Sequence, residues 1–305
     1  MQICRARVEL AQGLTKMNAK TLICIGSIIF YGCFAGSLAA DSSDADSENP
    51  RPLVFVITGE SNSGGNGDNS AASPKERELR ACVQIMNLTS GKFGFENMQL
   101  GVNNLRDHFR MTEFHYANWH GFENELANSV EANTFPGHKQ VYLIKTGHGG
   151  SRIAEWEQEH PSGYWKKFIQ RINAGKRQLP ENHQWVVWFS LGINDAIAKT
   201  PVDQWKKGLG AHLKRMKKQL PGAIIVMTQF QSMRNYPEID TALAEIAARE
   251  ANVFVVDSTG AALKNSNHWS YAGLKTVTQR MVKITRQAVN ETRKGAAGVS
   301  KTGSK

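Results

Sequence analysis

Ser61, Asn194 and His268 are the side chains of this 305-residue chain best suited to covalent chemistry. Ser61 lies in Thr58-Gly59-Glu60-Ser61-Asn62-Ser63-Gly64-Gly65, Asn194 in Gly192-Ile193-Asn194-Asp195, and His268 in Asn267-His268-Trp269-Ser270. A serine on a tight Gly-rich turn exposes its hydroxyl and keeps its own amide free to donate, as an acyl-transfer nucleophile requires. The same composition also suits a plain helix-capping turn. A histidine within reach can take the serine proton and return it to a leaving alcohol. Asn194 can aim an uncharged amide at a developing oxyanion. The glycines of Lys145-Thr146-Gly147-His148-Gly149-Gly150-Ser151-Arg152 let backbone amides approach a ligand closely, which suits an oxyanion donor at Gly150. His148, inside that turn, reads as a pocket-lining or structural residue, and Asp195 as a cap for the segment it precedes.

Five continuous apolar runs must position these residues: Leu53–Thr58, Val141–Thr146, Gln184–Leu191, Ala223–Phe230 and Asn252–Asp257. Their lack of alternation predicts strands buried on both faces of a parallel sheet. Helical patterns separate them at 122–132, 202–220, 238–251 and 271–292. The alternation predicts a three-layer α/β/α sandwich with a five-stranded parallel sheet and right-handed crossovers. In such sheets active residues gather beyond the carboxyl ends of strands, where all the motifs above fall.

The ends of the chain read differently. Thr21–Ala40 is apolar and small, follows Lys16 and Lys20, and ends in Ser37-Leu38-Ala39-Ala40. This describes a signal peptide over residues 1–40, cleaved near Ala39/Ala40, and therefore a secreted or periplasmic protein with no membrane span after cleavage. Residues 41–52 are acidic and Ser-rich, a disordered linker. The domain is expected over 53–292 and a disordered basic tail over 293–305. Of the four cysteines, Cys4, Cys24 and Cys33 fall in the leader, so Cys82 alone leaves no internal disulfide. The formal net charge of +10 sits largely at the two ends, in Arg5, Arg7, Lys16, Lys20, Arg293, Lys294, Lys301 and Lys305. With no recognition motif in the globule, no nucleic-acid partner is expected. No His-x-His, His-Glu-x-x-His or cysteine pair is present, so no metal or cofactor is expected.

In its ordered blocks the chain resembles the SGNH hydrolases over residues 53–290. Ser61 matches the first block, Gly150 (or Gly149) the second, Asn194 the third and His268 the fourth. Gly-x-Ser-Asn in the first block and Gly-Gly-Ser-x-Ile-x-x-Trp from Gly149 to Trp156 are closest to the carbohydrate-esterase branch, which includes sialate O-acetylesterase-like and acetylxylan-esterase-like enzymes. The resemblance implies a flavodoxin-like sheet and metal-independent removal of O-acetyl groups from an oligo- or polysaccharide. It also implies an oxyanion hole from Ser61, Gly150 and Asn194, with Ser61 as nucleophile and His268 as base and then acid. Glu60, Asn62, Trp156 and Trp269, beside these residues, are expected to line the substrate site.

Two positions depart from the family pattern. Glu60 stands where Gln is usual, adding a carboxyl beside the nucleophile. Asn265 stands where the family has the Asp of Asp-x-x-His. Loss of that carboxylate can cost a serine triad about 10⁴-fold. Three arrangements remain open: Asn265 accepting the His268 proton through its amide oxygen, Asp257 reaching in from the fifth strand, or a Ser61–His268 dyad. The departures also admit an alternative, a glycan-binding relative that no longer cleaves.

Overall fold

The computed structural model describes residues 50–103, 107–108, 118–233 and 236–302. The signal peptide expected at 1–40 and the linker up to residue 49 lie outside the described residues. At the centre of the fold is β1 (Leu53–Gly59), buried at every position. A strand with no exposed residue needs both faces covered, and the sequence supplies amphipathic helices for each. A one-turn helix, α1 (Ser61–Gly64), follows directly.

The chain then runs through β2 (Arg80–Thr89), β3 (Lys92–Met98), α2 (Glu123–Glu131), β4 (Val141–Lys145), α3 (Tyr164–Lys176) and β5 (Gln184–Ser190). It continues through the short α4 (Ile193–Ile197), then α5 (Val202–Gln219), β6 (Ile224–Thr228), α6 (Pro237–Arg249) and β7 (Val253–Val256). A two-stranded hairpin, β8 (Leu263–Asn265) and β9 (His268–Trp269), leads into α7 (Tyr271–Thr302). The helix continues past the boundary at Thr292 set by the Gly/Ser/Lys composition beyond it. Among the described residues no helix is long and apolar enough to cross a membrane.

The main sheet has seven strands in the order β7-β6-β5-β1-β4-β2-β3. All neighbours are parallel except β3, which pairs antiparallel with β2. Helices α2 and α7 cover one face; α3, α5 and α6 cover the other. This is the expected three-layer sandwich, and its five-stranded sheet is corrected to seven. The missing pair is the β2–β3 hairpin at the sheet edge. Its residues are a mixture of buried, half-buried and exposed, so they lack the continuous apolar signature of the central strands.

Candidate active site

The site forms where β1, β4 and β5 end side by side and the β8–β9 hairpin folds over them. β1 leaves the sheet through Gly59, whose φ of +119° lies in the region that favours glycine. A Cβ there would lie 1.9 Å from the Ser190 carbonyl oxygen, so the strand can exit only without a side chain. The Glu60 amide then donates to that carbonyl (2.7 Å). Ser61 is the first residue of α1, where a backbone amide has no partner within the helix.

Ser61 Oγ lies 2.9 Å from His268 Nε2. On the far side of the ring, His268 Nδ1 lies 3.0 Å from Asn265 Oδ1. The two rows of the hairpin thus bring a histidine and its acceptor to a serine 207 positions away. The Asn267 amide also donates to Asn265 Oδ1 (3.0 Å), turning that oxygen toward the imidazole. Asp257, the other candidate for this place, is exposed and bound by Arg280, whose Nη1 donates to its Oδ1 (2.9 Å). That pairing takes Asp257 out of the set.

Asn62 joins the serine turn to the hairpin. Its Nδ2 donates to the Asn267 carbonyl (3.1 Å), and its Oδ1 accepts from the Trp269 amide (3.2 Å). Trp269 is fully buried, with Nε1 donating to Ser232 Oγ (2.9 Å). Trp156 is likewise buried, its Nε1 on Ser151 Oγ (3.1 Å). Glu60, Asn62, Trp156 and Trp269 are all 0% exposed, so none offers a surface to a sugar. The expectation that they line the substrate site is corrected: they are internal struts that hold the motif loops together.

The second and third blocks are tied the same way. Gly150 is exposed at φ +80°, beyond the buried Gly149. Ser151 Oγ reaches the Gly59 carbonyl (3.5 Å), and the Ser151 carbonyl accepts from Asn194 Nδ2 (3.1 Å). The Asn194 amide has a second hydrogen to offer. Asp195 caps neither end of α4. Its Oδ2 accepts from the Ile153 amide (3.0 Å) and its Oδ1 from Thr200 Oγ1 (3.3 Å), locking the third block to the second. Burial pushes its carboxyl up to about 6. His148 is buried and stacks on Tyr164, ring centroids 3.8 Å apart.

Glu60 has the most crowded environment of the site. Its Oε2 accepts from Ser61 Oγ (2.6 Å) and the Asn62 amide (3.1 Å). Its Oε1 accepts from Ser190 Oγ (2.8 Å) and Asn62 Nδ2 (3.1 Å). Complete burial pushes its carboxyl up, against the pull of these four bonds.

A buried ion pair beneath the serine turn was not apparent from the sequence. Lys145, at the end of β4, contacts Glu123 Oε1 at 2.7 Å and donates to the Gly64 carbonyl at 3.0 Å. Glu123 Oε2 accepts from the Gly121 amide (3.0 Å). The available signal was a lysine ending an otherwise apolar strand, VYLIK, since a buried charge implies a buried partner.

A serine hydroxyl in contact with an imidazole can perform acyl transfer. The family model described as carbohydrate esterase, sialic acid-specific acetylesterase, matches residues 51–287. No curated protein matches the chain by sequence. Among solved structures, a protein from Arabidopsis thaliana is similar with a TM-score of 0.60 at 18% identity, over 77% of this chain and 98% of that one. NanS gives 0.60 at 13% identity, over 80% and 99% of the two chains. A carbohydrate acetylesterase from Xanthomonas citri gives 0.53 at 12%, over 78% and 56%. At these identities the likeness is one of fold.

Proposed function

The chain belongs to the carbohydrate esterase family of sialic acid-specific acetylesterases, and from that premise we propose that it is an exported serine esterase removing O-acetyl groups from carbohydrate. Ser61 attacks the acetyl carbonyl. His268 is its acid–base partner and delivers a proton to the leaving sugar oxygen, while Asn265 Oδ1 accepts from Nδ1 and orients the ring. The Ser61 and Gly150 amides and Asn194 Nδ2 hold the oxyanion. The observation that carries this reading is the unbroken contact from Ser61 Oγ through His268 to Asn265. A uniform function for a capping turn would not require an imidazole at 2.9 Å from the hydroxyl. The apolar run Thr21–Ala40 behind Lys16 and Lys20 supports export.

The test is acetate release from an aryl acetate and from an acetylated oligosaccharide, with the mature protein and its Ser61→Ala variant. Release by the parent and its loss in the variant is the expected result. Asn265 in place of a carboxylate favours a second reading, a relative that binds glycans without cleaving them. Background rates in both proteins, with saturable sugar binding that survives Ser61→Ala, would select that reading instead.

A further inference from the structure

A hollow opens between the one-turn segment Ile153–Trp156 and α5, where the second and third motif loops meet. Its volume is about 510 Å³, in the range of ligand pockets. Ala154, Gly208 and Ala211 are among the residues that line it, and side chains this small leave room for a ring. Arg152, Lys199 and Lys207 bring three cations to it, against Glu157. The remaining charged group of its lining, Asp195, is buried, with its oxygens on the Ile153 amide (3.0 Å) and the Thr200 hydroxyl (3.3 Å). Arg152 also lies 3.9 Å from Glu155. Lys199 holds φ +54°, at the position after α4 where glycine or asparagine is usual. A lysine kept in that conformation points to a use for its charge. The lining begins two residues from Gly150 and one from Asn194.

Helix α5 carries the positive charge onward from this hollow. Its only acid is Asp203, against Lys206, Lys207, Lys214, Arg215, Lys217 and Lys218. Two of these cations are neutralised on the side of α6. Lys206 Nζ meets Glu245 Oε2 and Lys217 Nζ meets Glu250 Oε2, both at 2.6 Å. Arg215 donates from Nη2 to the Trp156 carbonyl (3.1 Å). Lys207, Lys214 and Lys218 are exposed and form no ion pair among the described residues. Spacings of seven and four place these three on one side of the helix, over about 16 Å at the helical rise. Lys207 belongs to both the hollow and the row, which makes them one continuous surface.

We propose that the hollow and the lysine row of α5 bind a polysaccharide that carries carboxylates along its chain. This deepens the esterase reading and rests on it for one point, that the polymer seated here presents an O-acetylated sugar to Ser61. Lysines in a row suit anions repeated along a polymer, since each ammonium is a point charge that needs no fixed partner geometry. The membership of a carbohydrate esterase family makes carbohydrate the polymer. No large apolar side chain of α5 is exposed, so the surface lacks the groups that enter a bilayer. Its aromatic residues, Trp205 and His212, are buried, so no ring is offered for stacking on nucleic-acid bases.

The experiment measures binding of polygalacturonate to the mature protein by calorimetry at low ionic strength, with circular dichroism to confirm that each variant is folded. Changing Lys207, Lys214 and Lys218 together to Gln is expected to weaken binding about tenfold, the scale of three exposed ion pairs. Added salt should weaken the parent in the same way. Ala211→Trp, which fills the hollow and removes no charge, is also expected to weaken binding. Changing Lys275, Lys283 and Arg286 to Gln takes the same charge from α7, on the opposite face of the sheet, and should leave binding unchanged. Several results would overturn the proposal: no binding by the parent, equal binding of the methyl-esterified polymer, equal losses in the two triple variants, or parental affinity in Ala211→Trp. Tighter lysine-dependent binding to duplex DNA or to phosphatidylserine vesicles would overturn it too. Polygalacturonate carries no acetyl group, so a parent that releases no acetate from an aryl acetate sinks the esterase reading alone, and the binding result still decides this one.

Discussion

Asn194 is the residue whose proposed oxyanion role is most cleanly separated from its structural bonds. One hydrogen of its amide is spent on the Ser151 carbonyl, 3.1 Å away, and the other is left for a ligand. Asn194→Ala is expected to lower kcat by about 10²–10³ with little change in KM, since an oxyanion donor acts on the transition state. Steady-state kinetics on an aryl acetate would check this, and a loss confined to KM would remove Asn194 from the oxyanion hole. At this scale the sequence was informative about identity and weak about exposure. Serine, asparagine and histidine could be picked out because their neighbours and order suit one chemistry. Nothing in the letters Glu60, Asn62, Trp156 and Trp269 distinguishes a residue facing substrate from one buried behind the loop. That distinction belongs to packing, and packing placed all four inside.

Among the elements, the ends of β1, β4 and β5 set the site, and the Lys145–Glu123 pair sits beneath it. Lys145 is 0% exposed and Glu123 is 2% exposed. Burial pushes the Glu123 carboxyl up, and Lys145, His120 and the Gly121 amide together more than reverse this, leaving it below the usual range. Lys145→Met leaves a buried carboxylate without its cation and takes a donor from the Gly64 carbonyl. The expected cost is about 3–5 kcal/mol, read from denaturant unfolding at neutral pH. Glu123→Gln combined with Lys145→Met should recover part of that loss, because no charge remains to be buried. The central strands were legible because a strand covered on both faces is apolar throughout. The edge hairpin was not, since most of its side chains are half-buried or exposed. Helix α3 had a usable signal in Trp165, Phe168 and Ile172, which fall at helical spacing and are all buried.

For the molecule as a whole, buried neutral histidines govern behaviour in acid. Burial pushes His120 and His138 down to about 4 and His212 down to about 3. In the window below the ordinary value of 6.5, the unfolded chain binds these protons and the folded one does not, so stability falls as pH drops. Asp195 and Asp240, pushed up to about 6 by burial, oppose this between their ordinary value of 3.8 and 6, where the folded state binds more protons. His212 gives the clearest test. It is fully buried among Trp156, Trp165 and Phe189, and neither ring nitrogen has a hydrogen-bond partner among the described residues. His212→Phe is expected to move the acid unfolding midpoint to lower pH and leave neutral stability equal or higher, as followed by circular dichroism. An unchanged acid midpoint would mean that His212 binds its proton equally in both states.

The exposed tip of the β8–β9 hairpin carries a consequence for how such a site changes over generations. Asn265 is open to solvent and Glu60 is sealed in by four donors. Drift at position 265 therefore meets little resistance from folding, and only chemistry selects what stands there. Position 60 is different: a newcomer must satisfy the same four donors before any activity can be selected. A lineage can thus lose the acid of its hairpin at no cost to the fold, but it can gain one beside the serine only where Asn62 and Ser190 already wait to receive it.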